Sequence, residues 1–370
     1  MESSLFTRKP RLPRLWYFPI RGFWISDKTD GGRGQGGEIP YLRDDANVYP
    51  MKFRNRWWLA CGLVLGVVYA SSAQQLSLFT QYRENATLLN PAAVTGDYLG
   101  RQQNLTIGAS HRVQWTGLDS APRTQTLRAD FLYTGGDGFA PNMGGYLIND
   151  QTGPTGFTGL YGRFGGVITR DPRYGGICAG LSGGLVQYRV NASELQLRDE
   201  GDVVGMTDQQ QLFPDVGLGV FAYKLLEGRF LRDDYVYGGV SVPQVLGLDL
   251  RFPTEDGEFG TRRVQHAYAT AGLYHFLRDD NFVEPSVWVK YAPNAPVQVD
   301  LNVRYQMANA FWIGAGGNTA GAAHVEGGVL LGSRYGNQLR IGYGFDYFFT
   351  EIGPFLGPTH EINLAYALER

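Results

Sequence analysis

The sequence has little cysteine and little charge, and each shortage removes a class of protein. Only two of its 370 residues are cysteines, Cys61 and Cys178, and Cys61 falls in a segment that we expect to be removed. Neither an internal disulfide nor a cysteine-based zinc site is therefore expected. Charged residues make up 18% of the chain and the formal net charge is −2. Without a basic stripe, a nucleic-acid partner has no electrostatic support.

Long apolar runs are missing as well. After residue 74 no segment has the ~18 continuous apolar residues of a transmembrane helix, and no 3.6-residue apolar stripe persists. Glycine is abundant instead, with 51 residues and no Gly-X-Y period. Aromatic residues make up 14% while the mean hydropathy is −0.23, which is too polar for a helical membrane protein and too aromatic for a disordered chain. A β-barrel with an apolar outside and a polar inside satisfies both observations.

An export signal is predicted at residues 51–73. Residues 52–56 supply a basic start, residues 59–70 an apolar core too short to span a bilayer, and Ala73 a small residue for cleavage. Cys61 lies too early in the apolar run for a lipoprotein anchor. Residues 1–50 show no apolar periodicity, so we interpret them as a disordered extension or as the product of a start codon assigned upstream of Met51.

The mature chain alternates with a period of two, as β-strands with two different faces do. In residues 297–305 Val, Val, Leu, Val and Tyr share one face, and Gln, Asp, Asn and Arg share the other; residues 339–347 and 361–368 repeat the pattern. We predict a transmembrane antiparallel β-barrel of about fourteen strands over residues 101–370, preceded by a periplasmic or plug segment at residues 74–100. Polar gaps near 191–212 and 243–263 are predicted to be extracellular loops. Aromatics at strand ends, Tyr146 among them, are predicted to form interfacial girdles.

Three other interpretations fit the sequence less well. A secreted β-sandwich also alternates, but the glycine-rich strands that run to the chain end favour a closed barrel. The five histidines are scattered without metal-ligand spacing, so neither a metal nor a cofactor is predicted. His360 and Glu361 with Asp346 could suggest a hydrolase set, but no nucleophile is marked, and we predict a protein that is not an enzyme.

Charged residues also alternate on the polar side of the predicted strands. Arg304, Asp300, Arg340 and Asp346 have the parity of a barrel lumen. Such a set can conduct solutes, bind the tail of a partner or form a satisfied ion-pair network. The sequence alone favours the network and leaves the other two open.

The segment after the leader resembles a known family. Gln81-Tyr82, Asn85, Asn90-Pro91-Ala92 and Gly96 are similar to the opening element of the PorP/SprF family of type IX secretion system outer-membrane proteins. Later segments continue the resemblance in the same order. They are Arg112–Gly117, Gly144–Gly145, Pro214–Gly219, Tyr237–Ser241, Gln298–Asn302, Phe311–Gly314, Ile341–Asp346 and His360–Leu364. The chain departs from the family in two places: the family often has Tyr-Ala-Gly after the Asn-Pro, where this chain has Ala93-Val94-Thr95 before Gly96, and it usually ends on an aromatic strand residue, where this chain ends on Leu368-Glu369-Arg370.

The resemblance implies an accessory outer-membrane component that supports secretion or surface attachment of cargo proteins such as gliding adhesins. Its implied partners are outer-membrane lipid, the periplasmic ring components of the secretion system, a peptidoglycan-binding lipoprotein and the C-terminal domain of a cargo. Gln81, Tyr82, Asn85, Asn90 and Pro91 are expected to be partner contacts. The alternative function is a passive porin or solute transporter.

Overall fold

The computed structural model describes residues 79–135, 138–191, 208–228, 232–247, 249–254, 257–308, 310–333 and 336–370. The predicted export signal and the upstream extension lie outside these residues. Among the described residues, no helix is both long enough and apolar enough to cross a membrane.

Sixteen strands account for most of the described chain. They are β1 (Leu105–Val113), β2 (Arg123–Leu132), β3 (Gly138–Thr152), β4 (Thr155–Thr169), β5 (Gly175–Val190), β6 (Gln209–Glu227), β7 (Arg232–Val242), β8 (Asp249–Thr254), β9 (Gly257–Arg262), β10 (Ala267–Phe276), β11 (Phe282–Tyr291), β12 (Gln298–Gln306), β13 (Phe311–Asn318), β14 (Ala322–Gly332), β15 (Gln338–Phe348) and β16 (Thr359–Leu368). Short helices are α1 (Ala86–Leu89), α2 (Gly96–Arg101) and α3 (Gly353–Leu356), with a 3₁₀ turn at Arg278–Asp280.

Fourteen of these strands form one closed antiparallel barrel, as predicted. Each strand pairs with its neighbours in chain order, and β1 closes the barrel against β16, where Leu105 pairs with Leu368 and Val113 with His360. Closure leaves the barrel without an exposed sheet edge, so each of its fourteen strands has a partner on both sides. The exception is the gap predicted as a loop near 243–263, where β8 and β9 pair only with each other. A connection of that length satisfies part of its backbone hydrogen bonding by folding back on itself.

The two faces of each strand differ as the alternation predicts. In β12 Leu301 is 60% exposed on the outside, whereas its neighbours Asp300 and Asn302 are buried inside. β15 and β16 follow the same rule. The outer face thus forms the apolar belt of a membrane barrel. The girdle prediction is wrong at Tyr146, which faces the lumen and stacks on Tyr161 with ring centroids 4.6 Å apart.

Loop lengths orient the barrel. At one end the connections are short, at residues 133–137, 170–174, 228–231, 277–281, 307–310 and 333–337. At the other end lie the longest connections, residues 191–208, 243–266 and 349–358. Short turns are periplasmic and long loops extracellular in outer-membrane barrels, so the first end is the periplasmic one.

Residues 79–104, which we call the plug, lie inside the barrel. The backbone N–H of Thr80 donates to Glu361 near the extracellular start of β16. At the other end of the plug, the side chain of Gln103 donates to the carbonyl of Gly336 in a periplasmic turn. The plug therefore runs down the lumen from the extracellular half to the periplasmic end, where β1 begins.

Candidate functional site: the plugged lumen

One side of the plug is held by a cluster of ion pairs around Glu84. Arg304 of β12 approaches Glu84 with its Nη1 3.0 Å from Oε1, Arg128 of β2 lies 3.8 Å from Oε2, and Arg340 of β15 contacts the same carboxylate. Burial alone would raise the pKa of Glu84, but the three guanidinium groups outweigh it and lower that pKa to about 2. The carboxylate is therefore charged and bridges three strands that are far apart in sequence.

Arg83, the residue before Glu84, reaches a different part of the wall. Its Nε lies 3.3 Å from Glu284 of β11, and its Nη2 pairs with Glu326 of β14. Its Nη1 also donates to Asn302 at 3.0 Å and to Ser286 at 3.2 Å. Arg83 thus binds carboxylates on one part of the barrel wall, and Glu84 binds arginines on another. Together these contacts fix the rotation of the plug in the lumen.

Asp97 in α2 forms the third charged contact. It pairs with Arg340 and accepts a hydrogen bond from Thr106 of β1 at 2.9 Å. Arg340 therefore contacts two plug carboxylates, Glu84 and Asp97. All these groups are buried, and a buried ion pair is costly to break because the remaining charge loses its compensation.

The opposite side of the plug packs on aromatic residues and glycines. Asn90 donates through Nδ2 to the carbonyls of Val220 at 3.1 Å and Val240 at 3.4 Å. A Cβ at Gly219 would collide with the Asn90 side chain. The family-like segments Pro214–Gly219 and Asn90-Pro91-Ala92 therefore touch each other, because the absent side chain leaves the space for Asn90.

Asn142 and Arg163 bind the plug backbone just after Asn90. Asn142 donates to the carbonyl of Ala93 at 3.0 Å, and Arg163 donates to the carbonyl of Pro91 at 3.2 Å. Cys178 is fully buried in the same cluster as Ala92 and Ala93. Asn142 links the thiol to the plug, since the amide that donates to Ala93 also lies 3.8 Å from the Cys178 sulfur.

The five residues expected to contact a partner are all buried inside the lumen. Tyr82 bonds Ser286 through its hydroxyl at 2.6 Å, and Asn85 accepts from Thr126 at 3.2 Å. The backbone N–H of Gln81 donates to Glu361 at 3.3 Å, and a Cβ at Gly342 would meet the Gln81 side chain at 2.5 Å. Asn90 and Pro91 face the wall as described above. In this conformation they contact the chain's own barrel, and contact with a partner stays a prediction.

The four residues expected in the lumen divide into two groups. Arg304 and Arg340 bind Glu84 near the plug centre, while Asp300 pairs with Lys290 at 2.6 Å and Asp346 pairs with Arg112 at 2.8 Å nearer the extracellular end. The sequence did not pair Arg304 and Arg340 with Glu84, or Asp300 with Lys290. Glu84 and Asp97 stand beside the family-like motif, but charge next to a motif does not say which strand it will meet.

The imagined hydrolase set does not assemble. Glu361 faces the lumen, whereas His360 bonds Tyr343 at 2.7 Å on the outer face. Adjacent strand residues point to opposite faces, so these two side chains cannot share a site. The described residues also contain no cluster of three or more His, Cys, Asp or Glu side chains that could hold a metal ion.

Two cavities beside the plug are small. One cavity, between the Glu84 cluster and α2, measures about 20 Å³, and another, between Tyr82 and Phe221, about 30 Å³. A cavity of this size holds one or two water molecules. Neither of them accommodates a solute larger than water.

Comparison with known proteins adds the family and the fold. The model of the family described as type IX secretion system membrane protein PorP/SprF matches residues 71–366. No curated protein matches the chain. Similar solved structures include the toluene transporter TodX of Pseudomonas putida, at 12% identity and a TM-score of 0.44 over 81% of this chain and 100% of that one. They also include the translocator domain of the autotransporter NalP from Neisseria meningitidis, at 13% identity and a TM-score of 0.42 over 79% of this chain and 96% of that one. Likeness at this level says nothing of function.

Proposed function

The chain belongs to the PorP/SprF family of type IX secretion system membrane proteins, and on that premise we propose that it is an accessory outer-membrane component that supports secretion or surface attachment of cargo proteins such as gliding adhesins. It acts by binding and scaffolding, and it neither catalyses a reaction nor passes solutes. The periplasmic ring components and a peptidoglycan-binding lipoprotein are its proposed partners at the short turns, and the C-terminal domain of a cargo is its proposed partner outside.

The filled lumen is the observation that carries this proposal. Glu84, Arg83 and Asp97 tie the plug to strands on several sides of the barrel. The two cavities described beside it hold no more than water molecules. A barrel closed in this way offers surfaces for partners, which favours a scaffold over a porin.

The extracellular end carries a preformed apolar surface, which we call the platform and define as residues 114–122 and 349–358. Backbone hydrogen bonds join its two loops, from Thr116 to Pro358 at 2.9 Å and from Gly117 to Leu356 at 2.8 Å. Phe355 is 79% exposed and Ile352 60% exposed on it. Apolar side chains held exposed beyond the membrane belt are typical of protein contacts. We assign the cargo contact to this platform because it lies where an exported cargo emerges.

The cellular test removes this apolar surface while leaving the barrel intact. A strain lacking the chain is complemented with wild type or with the double variant Phe355→Ser/Ile352→Ser, and the surface level of the cargo is measured by labelling whole cells. We expect cargo display to fall while the amount of heat-modifiable barrel stays at the wild-type level. The matched control is Tyr291→Ser/Val297→Ser, which removes two exposed apolar side chains at the extracellular end outside the platform. Normal display in the strain without the chain would contradict the function itself.

Conductance separates the scaffold from the porin. Purified protein in a planar bilayer should show no steady pore, because the plug fills the lumen. A variant lacking residues 79–100 should conduct, since the charged lumen then fills with water and its arginines are solvated. A steady conductance of the wild-type protein would favour the porin instead.

A further inference from the structure

A concave region of about 690 Å³ lies on the outer surface near the periplasmic end. It is bounded by the turn at residues 170–174 and by strands β5, β6 and β7. This part of the surface is separate from the lumen and from the platform. Its lining residues are Thr169, Arg170, Asp171, Tyr174–Ile177, Ala222–Lys224 and Val236–Gly238.

Small residues form the floor of this groove. Ala222 of β6 faces outward between Ile177 on one neighbouring strand and Gly238 on the other. One step nearer the periplasm, Lys224 lies between Gly175 and Val236. The outer belt of a membrane barrel consists mostly of larger apolar side chains. At Ala222 and Gly238 the small side chains leave a depression in this belt, with Ile177 and Val236 as its apolar neighbours.

Two cations stand at the periplasmic end of the groove. Arg170 and Lys224 are both exposed, and within the described part of the chain neither has an ion-pair partner. Asp171 does not offset them, because its carboxylate is paired with Arg173 at 2.9 Å. Tyr174, 58% exposed, adds an aromatic ring at the depth where tyrosines anchor to the lipid interface. The groove therefore combines an apolar floor with a local positive charge.

The turn that carries these groups is fixed from inside the barrel. The hydroxyl of Tyr223 donates to the carbonyl of Pro172 at 2.8 Å, and the hydroxyl of Tyr235 donates to the carbonyl of Arg173. The N–H of Leu225 also donates to the carbonyl of Tyr174 at 2.8 Å. Held by three hydrogen bonds, the turn keeps the groove open without a ligand.

We propose that this groove binds one anionic phospholipid of the inner leaflet of the outer membrane. The phosphate lies between Arg170 and Lys224, and one acyl chain covers Ala222 and Gly238. A phospholipid fits better than a protein because the apolar part of the groove lies within the lipid-facing belt, where Ile177 and Val236 continue rows of outward-facing side chains. Only the charged end reaches the headgroup region.

Native mass spectrometry of the refolded barrel with dioleoylphosphatidylglycerol tests this proposal. The wild-type protein should retain one phosphatidylglycerol under conditions that strip the remaining lipid and detergent. Arg170→Ala/Lys224→Ala should weaken retention by roughly fivefold for each cation, the effect of one basic residue at an anionic lipid surface. Zwitterionic dioleoylphosphatidylcholine should be retained less well, and inorganic phosphate should not displace the bound lipid.

Two further variants separate the groove from general charge. Ala222→Trp fills the floor without altering charge and should reduce retention, whereas Val220→Trp, one outward position farther from the periplasm and outside the groove, should not. The charge control is Arg278→Ala/Arg370→Ala, which removes two exposed cations at the same end of the barrel. The proposal fails if this control loses as much lipid as Arg170→Ala/Lys224→Ala, or if Ala222→Trp retains lipid as the wild type does. Capture of a periplasmic protein that depends on Arg170 and Lys224, with unchanged lipid retention, would replace the lipid by a protein partner.

Discussion

The two sides of the plug are attached to the barrel by different kinds of interaction, ion pairs on one side and close packing on the other. Residues 80–87 and Asp97 face strands β1, β2, β11, β12 and β14–β16 and are held by ion pairs and charge-assisted hydrogen bonds. Residues 88–94 and 98–99 face β3–β7 and β10, where aromatic rings, glycines and backbone carbonyls fit the plug by shape. A buried ion pair is destabilised most by a substitution that removes one charged partner. A close-packed contact is destabilised most by a substitution that adds volume. Each side therefore predicts its own kind of sensitive variant.

The native cysteine makes the comparison measurable. Cys178 is fully buried in the cluster that contains Ala92 and Ala93, and Asn142 contacts both its sulfur and the carbonyl of Ala93. In protein refolded from residue 74 onward it is the only thiol, because Cys61 precedes that residue. Its rate of labelling by a small maleimide therefore reports how often the plug leaves the wall, as hydrogen exchange reports local opening.

The largest effect is expected from Glu84→Gln. The change leaves Arg304 without a carboxylate partner, since its other contacts are the amide oxygen of Gln306 at 2.9 Å and the ring of Trp312 at 4.6 Å. Loss of one partner of a buried ion pair costs about 3 to 5 kcal/mol, so labelling of Cys178 should speed up by about a hundredfold or more. Glu351→Gln on the exposed extracellular loop is the control and should leave the rate unchanged.

A double variant decides whether the pair itself is responsible. Glu84→Gln/Arg304→Gln removes both charges, so the plug should recover part of the stability that Glu84→Gln loses. If the increase in labelling rate of the double variant equals the product of the increases measured for Glu84→Gln and Arg304→Gln alone, Glu84 and Arg304 do not act as a pair. The charged side of the comparison would then be wrong.

The next effect concerns the outer face, which has no plug to bind. Leu301→Arg places a charge near the middle of β12 on the lipid side and should destabilise the barrel in lipid by about 2 to 4 kcal/mol in a urea titration. Leu212→Arg, exposed near the extracellular end of β6, should cost about 0 to 1 kcal/mol. Equal costs at the two depths would show that the belt has been placed wrongly along the strands.

The neighbour of Leu301 sharpens that test. Asn302 faces the lumen, where it accepts from Arg83 at 3.0 Å and contacts His324 at 2.8 Å. From the sequence alone Asn302→Ala is expected to be mild, but these contacts raise the expected cost to about 1 to 3 kcal/mol. Asn302→Ala should increase the rate of Cys178 labelling more than it lowers the stability of the barrel in the urea titration.

A smaller effect is expected on the shape-fitted side. Gly219→Ala would drive a methyl group into Asn90, and overpacking of this kind costs about 1 to 3 kcal/mol. Gly183→Ala is the matched control, because nothing lies within 4 Å of the added methyl on the outer face. Faster labelling of Cys178 in Gly219→Ala but not in Gly183→Ala would confirm that Gly219 leaves the space that the Asn90 side chain occupies. No difference between the two variants would remove that explanation for the glycine.

The sequence predicts the wall of this molecule far better than its interior. Alternation predicts the closed barrel and which face of β12 holds Leu301 and which holds Arg304, because lipid and lumen impose a period of two. It does not pair Arg304 with Glu84, which lies 220 positions away. Nor does it distinguish Tyr146, a lumen aromatic, from a girdle residue. The lumen glycines are the signal that could have been used: Gly219 and Gly342 recur within family-like segments where the plug approaches closest.

The smallest effect concerns pH. The stabilisation of the plug by Glu84 should not change with pH except in acid. The pKa of Glu84 is lowered to about 2 in the folded plug, below its ordinary value of 4.5. A lowered carboxyl pKa contributes stability that is complete above the unfolded value and is lost as the pH falls toward the folded one. The ratio of Cys178 labelling between Glu84→Gln and wild type, corrected for ionisation of the thiol, should therefore stay constant from about pH 8 to pH 5 and shrink only below about pH 4. Comparing the two proteins cancels the titration of other groups that they share. A ratio that already falls between pH 7 and pH 5 would mean that the three arginines do not hold this carboxylate in its charged form.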